Sequence, residues 1–172
     1  MGLFDTILAS AHGPAETAGA IGQLKTWDKT IALDTKTGDV EQAFLADPGL
    51  PGFIVRDGQE VFGVLSRRML LTAISQPYGR EVFIKRPLRE MSSKIDTAPV
   101  MLPASTPLAG ALKFAMTRDD ELRFEPFLVH ATHGIRLLEI HILMIAQANL
   151  LDEALTARDR LLDKIKAAVG NR

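Results

Sequence analysis

Phe53-Ile54-Val55-Arg56-Asp57-Gly58-Gln59-Glu60-Val61-Phe62-Gly63-Val64-Leu65-Ser66 reads as two apolar, β-branched runs joined across an Asp-Gly turn. That is the pattern of an antiparallel hairpin. Ser66 closes the second run as a helix N-cap, and Met69, Leu70, Leu71 and Ile74 follow at helical spacing. Toward the N-terminus, Asp47-Pro48-Gly49-Leu50-Pro51-Gly52 is dense in turn residues. Before it, Thr37 or Asp39 is placed to cap a helix through Val40, Ala43 and Phe44, and Ile31-Ala32-Leu33 is a short strand. The unit is therefore strand, helix, hairpin, helix.

The same order recurs further along. Pro99-Val100-Met101-Leu102 is a strand, and Ser105-Thr106-Pro107 opens a helix carrying Leu108, Ala111, Leu112, Ala115 and Met116. Pro126-Phe127-Leu128-Val129 and Ile135-Arg136-Leu137-Leu138 flank the turn His130-Ala131-Thr132-His133-Gly134. A helix then opens near Glu139 or Ile140. Two copies of one supersecondary unit predict a pseudo-symmetric α+β pair, with helices packed on small sheets.

The second copy's last helix overruns its counterpart, continuing to Val169 with Gly170 as a stop signal. Leu150, Ala154, Ala157, Leu161, Ile165 and Ala168 make a stripe with spacings of three and four. A helix of roughly thirty residues spans about 45 Å. Its distal half needs something to pack on: a second copy of the chain is the simplest partner, and a helix folded back on its own domain is the alternative. Leu150, Ala154, Leu161 and Ile165 are the expected dimer residues.

Composition narrows the function. The 172 residues carry a net charge of -1, with 47% hydrophobic and 24% charged residues, which is ordinary for a globular chain. The absence of cysteine excludes thiol catalysis, Cys-type zinc sites and iron–sulfur clusters, and fits a reducing compartment. Balanced charge argues against nucleic-acid binding. No apolar run is long enough to cross a membrane, and the N-terminus lacks the layout of a signal peptide. Met1-Gly2-Leu3-Phe4-Asp5-Thr6 fits the loose myristoylation pattern, although Leu3, Phe4, Ile7 and Leu8 also read as one face of a short helix. His130, His133 and His141 lack the additional ligands a metal needs. No carboxylate pair, nucleophile elbow, phosphate loop or dinucleotide fingerprint is present, so catalysis is not expected. Arg67, Arg68, Arg80, Lys85, Arg86 and Arg89 gather around the segment between the copies; a solvated face paired with Glu81 and Glu90 is the expected reading. Trp27 is expected to anchor the N-terminal arm.

The repeat resembles a tandem pair of CBS domains, also called a Bateman module, over residues 30–148. Ala104-Ser105-Thr106-Pro107-Leu108 matches the family's helix start, with Thr35-Lys36-Thr37-Gly38-Asp39-Val40 as the weaker equivalent. Gly63-Val64-Leu65-Ser66-Arg67-Arg68 matches the hairpin end, and Pro87-Leu88-Arg89-Glu90-Met91 the bridge between units. The chain is also similar to CBS pairs of bacterial signalling proteins. The resemblance implies clefts that take adenosine-containing ligands, with a Ser/Thr at a helix start meeting phosphate and an Asp three residues on holding the ribose. Here Met69 replaces that Asp, and the second unit has Arg136 for Gly, Glu139 for Ser/Thr and Ile142 for Asp. The second half-site is thus expected to be dead for nucleotides, while Ser66, Arg67 and Arg68 remain as a phosphate end in the first.

The expectation is an arm over 1–28, CBS units over 29–86 and 87–149, and a helical extension over 150–172. Its function would be that of a cytoplasmic, homodimeric, non-catalytic sensor in bacterial signalling, acting on a signalling protein partner, with no nucleic acid, membrane or metal. The ligand would be an adenine nucleotide or S-adenosylmethionine. The alternative is a structural dimerisation or interaction module with no small-molecule ligand.

Overall fold

The fold is described from a computed structural model covering residues 19–170. The acylation pattern and the helix over Leu3 to Leu8 lie outside the described residues.

Each unit is built on a three-stranded sheet. In the first, β1 (Thr30–Ala32) runs parallel to β2 (Gly52–Asp57), and β2 pairs antiparallel with β3 (Glu60–Ser66). The turn places Gly58 at φ +61, the conformation that glycine adopts without strain. Helices α1 (Thr37–Ala46), α2 (Arg67–Ser75) and the short α3 (Gly79–Phe83) belong to this unit. The second unit repeats the scheme with β4 (Met101–Pro103), α4 (Leu108–Met116), β5 (Phe127–Ala131) and β6 (Gly134–Leu138), with the same pairing senses. The last helix, α5, runs from Ile140 to Gly170. The two-unit reading of the sequence is borne out; α3 and the 3-10 segment Leu88–Lys94 are elements it did not include.

Strand alternation sorts the core into three parts. Phe53, Val55 and Leu65 face the first unit's helices and pack with Val40, Phe44 and Leu70. Phe127, Val129 and Leu138 do the same in the second unit, with Leu108, Ala111 and Leu143. The alternate residues Ile54, Val64, Leu128 and Leu137 meet one another in a third cluster, so the sheets pack face to face at the junction of the units.

Two expectations change. Neither Thr37 nor Asp39 caps α1: the N-cap is Lys36, with no side-chain cap bond. The orphan N–H groups of Thr37 and Gly38 donate instead to the carbonyls of Arg86 and Ile84, at 2.8 and 2.9 Å. In the same way Leu108 N–H of α4 donates to Gly19 O at 2.8 Å. The helix over Ser105-Thr106-Pro107 begins later, with Pro107 as its N-cap residue. Segments from outside each strand-and-helix unit thus finish it. Asp96 bridges to Val64 on β3, and Trp27 bridges to Leu137 on β6. Leu88, Met91 and Ile95, which the sequence grouped with the second unit, are buried in the first unit's core, and Ile21 is buried in the second's. Trp27 does anchor the arm, with mutual backbone bonds to Leu137 at 2.9 and 2.7 Å.

Candidate functional site

The end of β3, where Ser66 passes into α2, lies beside the end of β6, where Glu139 passes into α5. A cleft of about 410 Å³ opens between them. Its first-unit wall is the turn 48–51 with Ser66, Arg67 and Arg68; its second-unit wall includes Glu125, Glu139, His141 and Met144. A second, larger cleft of about 820 Å³ lies on the other side of Arg68. It is lined by Met69 and Thr72 of α2, by Gln76 just past that helix, by the linker around Asp96, and by 119–122.

The structure brings Ser66, Arg67 and Arg68 together on one wall, each already engaged. Ser66 is 2% exposed, and its Oγ accepts Met69 N–H at 3.0 Å as the N-cap of α2. Arg67 N–H donates to Pro51 O at 2.8 Å. Of the N–H groups in this first turn, only that of Arg68 remains for an anion. The Arg67 guanidinium donates to Asp47 O at 2.6 Å and to Leu50 O at 3.1 Å, and stacks 4.9 Å from the Phe44 ring centroid. It pins the turn 47–51 more than it faces the cleft.

Arg68 is different. It lines both clefts and crosses between the units. Its Nε donates to the Glu125 carboxylate and its Nη2 to Glu121 O at 2.5 Å. The Arg68 side chain is 62% exposed, whereas Glu125 keeps 2%. A buried carboxylate held by an accessible guanidinium is a tie that an incoming anion can contest. Arg118 lies behind it, donating through Nη2 to Glu125 O. Burial lowers the Arg118 pKa against the pull of Asp96 and Glu125, and burial raises Asp96.

Glu139 occupies the position equivalent to Ser66. Burial raises its pKa, opposed by His141 and Lys25. Its Oε1 lies 3.4 Å from His141 Nδ1. An ionised Glu139 would repel a phosphate in the cleft it shares with Arg68. Met69 lines the larger cleft and also packs on the first core; a thioether there cannot accept a ribose hydroxyl pair as a carboxylate would. Ile142 packs on the second core.

The remaining arginines do not form one patch. Arg89 binds both Asp34 and Asp57 and lowers their pKa values, while their carboxylates raise its own. Arg80 binds Glu41, and Arg86 pairs with Glu90 at 3.6 Å. The inter-unit tie of Arg68 to Glu125 was not legible in sequence. Their separation along the chain carries no periodic signal, and only the face-to-face sheets bring them together. Among the described residues no group of three His, Asp or Glu could hold a metal, and no helix is long and apolar enough to cross a membrane.

No family model and no curated protein matches the sequence. Solved structures do match the fold. The CBS-pair protein CBSX2 from Arabidopsis thaliana is 17% identical, with a TM-score of 0.59 over 79% of this chain and 99% of that one. A structure of CBSX2 in complex with AMP is 18% identical, with a TM-score of 0.55 over 77% and 98% of the two chains. A candidate signal-transduction protein with CBS domains from Burkholderia ambifaria is 16% identical, with a TM-score of 0.53 over 81% and 88%. The architecture is theirs: two pseudo-symmetric units, each with a three-stranded sheet.

Proposed function

We propose that this tandem CBS fold serves as a non-catalytic regulatory module of bacterial cytoplasmic signalling. Its ligand is an adenosine-containing molecule, an adenine nucleotide or S-adenosylmethionine, taken up between the units. The observation that carries this reading is Arg68, which stands in both clefts and ties the first unit to Glu125 of the second. A phosphate or carboxylate taking its guanidinium would loosen that tie. Occupancy would thereby be converted into a change of angle between units, and a ligand shifts such an equilibrium only through contacts that differ between the two states. The volume of each cleft lies in the range of small-molecule sites. The AMP complex of a protein with the same fold supports the choice of ligand class. With the ribose acceptor replaced by Met69, affinity would rest on the phosphate end, where Ser66 orders the helix start and Arg67 holds the adjoining turn.

The test is thermal unfolding with AMP, ADP, ATP and S-adenosylmethionine. Ligand at about 100 times its dissociation constant adds roughly 2.7 kcal/mol of stability. The shift should vanish in Arg68→Ala. No shift with any of the four would remove the small-molecule reading.

A second reading, an interaction module without a small-molecule ligand, is favoured by one observation: Leu151, Leu155, Leu161, Leu162 and Ile165 of α5 are all exposed. Thermal shift separates the two readings.

A further inference from the structure

From residue 151 to residue 169, α5 extends past the second unit with every side chain exposed. Leu150 is the last residue of this helix to pack on the second core. About five turns of apolar-striped helix without a partner are unfavourable in water. The stripe also has a finer structure. Starting at Met144, apolar residues recur at alternating steps of four and three through to Val169, interrupted only by Arg158. This is the seam spacing of a coiled coil, and each of these positions is exposed. Of the four expected dimer residues, Ile165 lies on the seam, Ala154 and Leu161 border it, and Leu150 turns inward.

Arg158 decides the orientation. In a parallel pair it would face Arg158 of the partner subunit inside an apolar seam, like charge against like. In an antiparallel pair whose two-fold axis passes between residues 156 and 157, Arg158 instead meets Leu155 of the partner subunit. The same register sets Leu151 on Leu162, Ala148 on Ile165 and Met144 on Val169, so every seam position finds a seam position. Arg158 enters that layer already balanced, because Asp159 of its own chain accepts from Nε at 2.9 Å and from Nη2 at 2.7 Å. The overlap runs about 38 Å along the helix. Its eight layers, at on the order of 100 Å² per helix each, reach the roughly 800 Å² a side of a specific interface.

We infer that α5 pairs antiparallel with α5 of a second copy of this chain, in the register centred between residues 156 and 157. The inference stands whether or not the clefts take a ligand. Met144 also lines the smaller cleft, so the far end of the partner's helix comes to rest beside that cleft.

The chain has no cysteine, which makes disulfide trapping clean. Leu151→Cys and Leu162→Cys each change an exposed residue, so folding is not at risk. In the antiparallel register residue 162 lies about 16 Å along the axis from its own copy, beyond the Cα separation of a disulfide. Under mild oxidation, mixed Leu151→Cys and Leu162→Cys chains should give a covalent dimer, and neither variant alone should. Sedimentation of the full chain should show a dimer at micromolar concentration, and Leu151→Glu, which sets a carboxylate against Leu162 of the partner subunit, should weaken it by at least about tenfold. Efficient cross-linking of Leu162→Cys alone would mean a parallel pair and overturn the orientation. A monomer, or a dimer unmoved by Leu151→Glu, would overturn the interface itself.

Discussion

Leu128→Ala tests whether the packed sheets weld the two units into one folding unit. Leu128 is 0% exposed and sits in the seam with Ile54, Val64 and Leu137. Large-to-small changes of this kind cost about 2–5 kcal/mol, and the cost is higher where the surroundings cannot collapse. Collapse is hindered here. Leu128 pairs with Met101 on one side and Leu137 on the other, and its N–H is held by Val100 O at 2.8 Å. The cavity would therefore persist, and we expect the upper part of the range, about 3–4 kcal/mol. For a domain of this size that is a fall in Tm of roughly 6–16 °C. The assay is urea unfolding read by Trp27 fluorescence and by far-ultraviolet circular dichroism. Trp27 is the only tryptophan and touches both the first core and the seam. The two signals should share one midpoint, which moves down together in the variant. Leu45→Ala, at a site 62% exposed, should change stability by less than about 0.5 kcal/mol. A loss below about 1 kcal/mol for Leu128→Ala, or separate midpoints for the two signals, would refute the idea of a welded seam.

Three further outcomes are expected. Burial raises the pKa of Glu139 in the folded chain, so the native state binds the extra proton and stability falls as pH rises from the unfolded value through the folded one. Glu139→Gln should accordingly melt above the parent at pH 7–8, with the gap closing toward pH 4; a gap independent of pH would contradict this. Asp34 and Asp57 behave in the opposite sense. Their pKa values are lowered by Arg89, so their contribution is present at neutral pH and lost as pH falls through the folded values; Arg89→Leu should flatten the acid limb of the Tm profile. Gly63→Ala would set a Cβ 2.3 Å from Asp96 O, on the strand carrying the Val64–Asp96 bridge, and should cost upward of about 2 kcal/mol, whereas Gly110→Ala, with open space around it in α4, should gain about 0.5–1 kcal/mol by calorimetry.

The parts of the fold governed by short-range rules were legible in the sequence. The Asp-Gly hairpin, the Ser66 cap and the long last helix each depend on residues within a turn or two, and each is in place. The cap of α1 was misread because its first N–H groups are satisfied by the backbone of Ile84 and Arg86, across a gap in sequence that no local pattern encodes. The candidate site divides in the same way. Ser66, Arg67 and Arg68 were found through their motif. Their working state, a cap, a loop pin and an inter-unit tie, depends on Met69, Asp47 and Glu125 coming within reach. The arginine cluster dissolved for the same reason, since Asp34, Asp57 and Glu41 return from distant positions to claim Arg89 and Arg80.

The bridge that Trp27 makes to Leu137 has a consequence for how the chain is made. The first unit receives its closing segment, with Leu88, Met91 and Ile95, soon after its own strands emerge, so it can finish folding during synthesis. The second unit waits for nothing still to come, yet two of its pieces, Ile21 and Trp27, were made before the first unit existed. Ile21 must wait for Thr106, and Trp27, which packs on the first core, must also keep its backbone available for Leu137. The slow step in folding is therefore expected at this long-range closure. It also follows that the second unit cannot be cut out as a domain without carrying the beginning of the chain along with it.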